Sequence, residues 1–125
     1  VYATTVTSRD SNFHNNYASG VGGGLYVSSN VMARNSTFIN NTADLALGVD
    51  WNGGGAICTS NTISVYDSRF INNTAKCRGG AIFAVNYAKL SNSNFTNKIA
   101  EGDCGALSLT KNVDVEYSTF IDYEA

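Results

Sequence analysis

An all-β parallel β-helix, about five rungs of 25 residues with three short strands per rung, is the fold this sequence predicts. Three observations predict it. One octapeptide recurs five times: SNFHNNYA from Ser11, STFINNTA from Ser36, SRFINNTA from Ser68, SNFTNKIA from Ser93 and STFIDYEA from Ser118. A glycine block alternates with it: GGGL at Gly22, GGAI at Gly54, GGAI at Gly79 and CGAL at Cys104. The small third residue of each block stands 14 residues before the next Phe every time. Between these landmarks apolar residues alternate with period 2 in short bursts, which marks strands rather than a helix.

Each rung can be written out in order. After the glycine block come the first-strand pairs Leu25/Val27, Ile57/Thr59, Ile82/Ala84 and Leu107/Leu109. Seven and five residues before each Phe come Val6/Ser8, Val31/Ala33, Ile63/Val65, Ala88/Leu90 and Val113/Val115. Ser and Phe form the third pair. The core stack is Phe13, Phe38, Phe70, Phe95 and Phe120, with spacings of 25, 32, 25 and 25. The 32 is one rung plus an insertion of 7 between Ala43 and Gly54. Columns that stay in register suit a solenoid, where each residue stacks on its equivalent at about 4.8 Å. An antiparallel sandwich gives short strands but no such columns.

The corners carry their own signature. Ala18, Ala43, Ala75, Ala100 and Ala125, five residues after each Phe, mark tight turns, as do the small residues of the glycine block. Asn or Asp lies two after every Phe (Asn15, Asn40, Asn72, Asn97, Asp122), and Asn also lies three after in the first three rungs (Asn16, Asn41, Asn73). One of these columns is expected to form a stacked amide ladder; the sequence leaves open which. Val1 aligns with Tyr26, Cys58, Phe83 and Ser108, so the chain is expected to begin in mid-strand.

Composition bounds the function. The 125 residues are 43 % hydrophobic and 14 % charged, with net charge -2, no Pro, 12 Gly and 16 Asn. They fit a single β-helix domain over 1–125, with an inserted loop at about 44–53. Eight Lys and Arg without a basic stripe argue against nucleic acid as a partner. Apolar runs such as Ala81–Val85 are far shorter than the roughly 20 residues of a membrane helix, so no membrane insertion is expected. The start at Val1 without a visible signal peptide reads as a mature or excised segment, a slice of a longer solenoid or a stacking subunit.

The F-x-x-N element (Phe13–Asn16, Phe38–Asn41, Phe70–Asn73), alternating with G-G-A-I (Gly54–Ile57, Gly79–Ile82), resembles the repeat of the polymorphic outer-membrane proteins. That repeat belongs to right-handed parallel β-helix surface proteins. Lys98 and Tyr123 break the pattern in the last two rungs, as does Cys104 in the last glycine block. The resemblance implies a secreted, surface-attached passenger that coats or adheres; the membrane barrel of such proteins has no counterpart here.

Catalysis on polysaccharides needs carboxylates converging within about 5 to 10 Å. Asp10 and Asp67 share a column two rungs apart, and Asp114 and Glu116 share a face above Lys89, which reads as an exposed cross-rung ion pair. His14 has no evident nucleophile or metal partner. No catalytic residue, metal or cofactor is therefore assigned. Cys77 and Cys104 lie in the same loop of neighbouring rungs, a disulfide candidate set against three reduced, semi-buried thiols; Cys58 is expected to point outward and stay unpaired. Glycosylation candidates are the N-x-[ST] asparagines Asn35, Asn40, Asn72 and Asn94, where Asn40 and Asn72 serve either as ladder amides or as acceptors. Leu45, Leu47, Val49 and Trp51 make the insertion either a lid over the sheet or a contact loop for a partner or a sugar ring.

The expected function is a non-enzymatic extracellular structural or adhesive segment of a surface protein or fibre, glycosylated. Its partners would be further rungs or copies end to end, glycans, or a host or neighbouring surface. A polysaccharide-acting enzyme or carbohydrate-binding module using the Trp51 loop is the alternative.

Overall fold

The computed structural model describes residues 1–44, 53–76, 78–100 and 106–124. Every strand pair is parallel, and the strands collect into three sheets, each five levels deep. Tyr2–Ala3, Leu25–Val27, Ile57–Thr59, Ile82–Ala84 and Leu107–Leu109 build the first sheet. Val6–Arg9, Val31–Arg34, Thr62–Tyr66, Tyr87–Ser91 and Asn112–Glu116 build the second. Asn12–His14, Thr37–Ile39, Arg69–Ile71, Asn94–Ala100 and Thr119–Glu124 build the third. The chain is a parallel β-helix, with each 25-residue repeat supplying one level.

The Phe column fixes the register. Phe13, Phe38, Phe70, Phe95 and Phe120 pair strand to strand, with centroids 4.8, 4.7, 4.7 and 4.8 Å apart and planes within 9° of parallel. That separation equals the strand spacing, so backbone hydrogen bonding and ring stacking are met by one geometry. Phe38, Phe70 and Phe95 are fully buried; Phe13 and Phe120, at the two ends, are only partly so. Leu25, Ile57, Ile82, Ile63, Val65 and Leu90 fill the rest of the narrow core. Thr59 also faces inward and is wholly buried, its hydroxyl donating to the Ser29 carbonyl.

The repeated corners each use a different device. Between second and third sheets the chain turns through a left-handed residue: Asp10, Asn35, Asp67, Asn92 or Tyr117, with φ of 47–51°. After the third-sheet strand it turns at Asn15, Asn40 and Asn72, with φ of 53–57°. The glycine corner turns at Gly54 with φ 75°, and a Cβ on the next residue, Gly55, would strike the Gly80 carbonyl stacked on it. Only glycine meets both demands.

Two details differ from the sequence reading. Tyr2, not Val1, pairs with Tyr26, because the first turn is one residue shorter between the two opening strands. The alanine column sits on short strands just past the corner, at Tyr17–Ala18, Thr42–Ala43 and Thr74–Ala75, rather than on the bend. In the fourth and fifth levels these pieces merge with the third-sheet strand, as Asn94–Ala100 and Thr119–Glu124. Those are the levels where Lys98 and Tyr123 replace the third-position Asn.

Candidate functional site

The asparagine columns have separate jobs. Asn41 and Asn73 are completely buried and form the ladder: Asn16 Nδ2 donates to Asn41 Oδ1 at 2.9 Å, and Asn41 Nδ2 to Asn73 Oδ1 at 3.0 Å. Their amides also donate to the Phe13 and Phe38 carbonyls at 2.9 Å, satisfying the backbone where the corner interrupts the sheet. Asn15, Asn40 and Asn72 take the strained left-handed position instead and project into solvent. A serine ladder holds the other corner: Ser36, Ser68 and Ser93 each donate a backbone N–H to the next serine Oγ at 3.1 Å. Each of these hydroxyls donates in turn to the carbonyl two residues back, at 2.8–3.0 Å.

With the ladder assigned to Asn41 and Asn73, Asn40 and Asn72 are released from the core. All four sequon asparagines, Asn35, Asn40, Asn72 and Asn94, are exposed. Asn35 Nδ2 donates to Asp10 Oδ1 at 2.6 Å, and Asn92 Nδ2 to Asp67 Oδ1 at 2.7 Å, so both carboxylates of that column are engaged by amides rather than facing each other. His14 Nε2 lies 3.4 Å from Thr37 Oγ1. Lys89 and Asp114 pair in register, yet form no ion pair; both side chains reach into solvent, where the gain is too small to hold them together. Among the described residues no cluster of three His, Cys, Asp or Glu is placed to hold a metal.

Cys58 is a free thiol. The strand alternation does turn it away from the core, but it is 1 % exposed and Phe83 beside it 2 %, so this stretch of the first sheet is covered on its outer side. Burial pushes the thiol up to about 12, leaving it protonated and unreactive at neutral pH. Cys77 and Cys104, and the loop residues Leu45, Leu47, Val49 and Trp51, lie outside the described residues.

Sequence reasoning missed one cluster. Lys76 pairs with Asp44, which also accepts the Tyr17 hydroxyl. Its signal was available, since Asp44 and Lys76 both stand six residues after their Phe and therefore share a column. Lys76, donating first of all, and Tyr17 hold the Asp44 carboxyl below the usual range, while the bond to Asp44 raises Tyr17. A second missed feature is a polar groove of about 410 Å³ between Asn35, Asp67 and Asn92 on one wall and Thr37, Arg69 and Asn94 on the other.

Stacked parallel rungs with a side-chain ladder at two corners define a β-solenoid repeat segment. Residues 67–85, from the corner Asp67 through Phe70, the ladder Asn73 and the Gly79–Ile82 block, match the family model of the Chlamydia polymorphic membrane protein repeat. The F-x-x-N and G-G-A-I elements of that segment are thus similar to a polymorphic membrane protein repeat, which points to the repeat region of an outer-membrane or surface protein. No curated protein and no solved structure matches the chain.

Proposed function

We propose that the chain is a non-enzymatic, extracellular structural and adhesive segment of a surface protein, a stiff stack of rungs that displays its outer faces. The observation that carries this reading is the registry of the Phe and Ser columns over the stack, with the Asn ladder of the first three levels, joined to the surface-protein repeat at 67–85. A stack in which each rung is fixed to its neighbours resists bending, as a spacer or coat must. The amide-bound carboxylates of the Asp10–Asp67 column support a display surface over a catalytic one. Val113 and Val115 occupy core columns of the last level, yet are 49 % and 42 % exposed. A further rung, from the same protein or another copy, would bury them. Exposure of Asn35, Asn40, Asn72 and Asn94 favours glycan attachment in a host with the machinery.

The test is to label intact source cells with antibodies raised against the chain, and to bind beads coated with it to host or neighbouring cells. Labelling together with bead adhesion is expected. Labelling only after lysis would sink the surface reading, and inert beads the adhesive one.

A further inference from the structure

The groove between the second-sheet corner and the third sheet presents a polar surface that the hydrogen bonds of the corner leave open to solvent. One wall consists of left-handed corner residues Asn35, Asp67 and Asn92; the other of outward third-sheet residues Thr37, Arg69 and Asn94. The serine ladder runs along its floor, where Ser36 and Ser68 turn inward and the surface dips. A second hollow of about 310 Å³ lies across the Arg69 and Asn94 column and is also lined by Ile71, Thr96, Thr119 and Ile121, so two hollows flank that column and the first runs as a channel over three levels.

We propose that this channel binds a neutral, extended oligosaccharide lying parallel to the axis, with Arg69 as its central donor and Asp67 as its central acceptor. The inference rests on the adhesive reading above and supplies its ligand class. Arg offers only donors, a carboxylate only acceptors, and Asn both, so the facing walls suit vicinal hydroxyls, which donate and accept at once. Arg69 is exposed and makes no ion pair among the described residues, while Asp67 is oriented by the Asn92 amide at 2.7 Å. One cation opposite one anion leaves the channel near neutral, which disfavours an anionic polymer. A peptide gains little here, because the sheet is met face-on and offers no backbone ladder to extend. Across the Arg69 and Asn94 column, the half-buried Ile71 and the exposed Ile121 offer an aliphatic strip to the C–H face of a sugar ring that overhangs it. The rung spacing of about 4.8 Å is close to the length of one extended pyranose residue, so successive sugars meet successive levels in similar surroundings.

A glycan attached at Asn35 or Asn94 would fill the channel, so the test uses protein made in a host without N-glycosylation. It is applied to an array of neutral hexose and N-acetylhexosamine oligomers of increasing length, beside uronic and sulfated oligomers. Neutral oligomers should bind, with affinity rising until the chain spans the channel and then levelling. Arg69→Ala should weaken binding about tenfold, as should Asp67→Ala, while Arg9→Ala on the second sheet leaves it unchanged. Circular dichroism and thermal melting check that each variant folds. Binding confined to acidic oligomers, no binding to neutral ones, or full binding by folded Arg69→Ala would each overturn the inference. Beads that still adhere to cells when coated with Arg69→Ala would overturn the groove as the contact and leave the adhesive reading standing. Beads of the unmodified protein that adhere to nothing would overturn both.

Discussion

Replacing Asn73 with alanine should destabilise the protein by about 3 to 5 kcal/mol, although the change removes a polar side chain from an apolar interior. Asn73 is fully buried, and its Nδ2 donates to the Phe38 carbonyl at 2.9 Å. Its Oδ1 accepts from both the backbone N and the Nδ2 of Asn41, each at 3.0 Å. Truncation therefore orphans one carbonyl and two donors where no water replaces the lost partner, at about 1 to 3 kcal/mol each. The freedom no longer lost in ordering the side chain returns a part of that. The neighbouring Asn72→Gly should stay within about 0.5 kcal/mol, since Asn72 is exposed and glycine accepts its φ of 53° without strain. Guanidinium unfolding measures both, and hydrogen exchange at the Asn41 amide reports the ladder locally, with faster exchange expected only in Asn73→Ala. A loss below about 1 kcal/mol with the Asn41 amide still protected would refute the ladder as a stabilising element.

Other perturbations test separate parts of the molecule. Phe70→Ala opens a cavity in the middle of the ring column and should cost about 3 to 5 kcal/mol by chemical denaturation, and the partly buried Phe13→Ala clearly less; equal losses would mean the column is not a core. In a Cys77→Ser/Cys104→Ser background, Cys58 should resist a thiol reagent at pH 8 until the protein unfolds, and prompt native labelling would contradict its burial. Because its folded value is raised, that thiol favours the native state below the ordinary 9.0, and the benefit fades as pH climbs toward about 12, a slope visible in melting temperatures. Asp44 has the opposite sign: its lowered value adds stability above the ordinary carboxylate range that is lost as pH falls through the folded value. A carboxyl titration followed by NMR should show its midpoint rising in Lys76→Met; an unmoved midpoint would dismiss the ion pair.

The repeat made most of the fold legible, because a residue that must stack on its own kind leaves a column in the sequence. Phe, Ser and glycine columns each fixed a strand or corner in advance. Adjacent Asn40 and Asn41 were not distinguishable by type, because left-handed backbone and ladder amide both favour asparagine. The discriminating signal lay in the departures. The ladder position is the one that becomes Lys98 and Tyr123, and the corner straightens into continuous strand at those levels. The burial of Cys58 was not legible for a different reason: alternation tells which way a side chain points along its own strand, but whatever covers it comes from elsewhere in the chain. The groove escaped notice because one rung supplies only a tripeptide to it, such as Asn35-Ser36-Thr37 or Asp67-Ser68-Arg69, and the hollow forms only when such tripeptides stack.

Both side-chain ladders run in one sense. The amide of each level donates to the serine or asparagine oxygen of the next, from Asn16 to Asn41 to Asn73 and from Ser36 through Ser68 and Ser93 to Ser118. Along these two columns the rod has a polarity, with backbone donors looking toward the later level and side-chain acceptors toward the earlier one. A two-fold axis at either end would set these two columns acceptor against acceptor or donor against donor. A stack that continued both columns across a seam would have to be head-to-tail, a heterologous geometry.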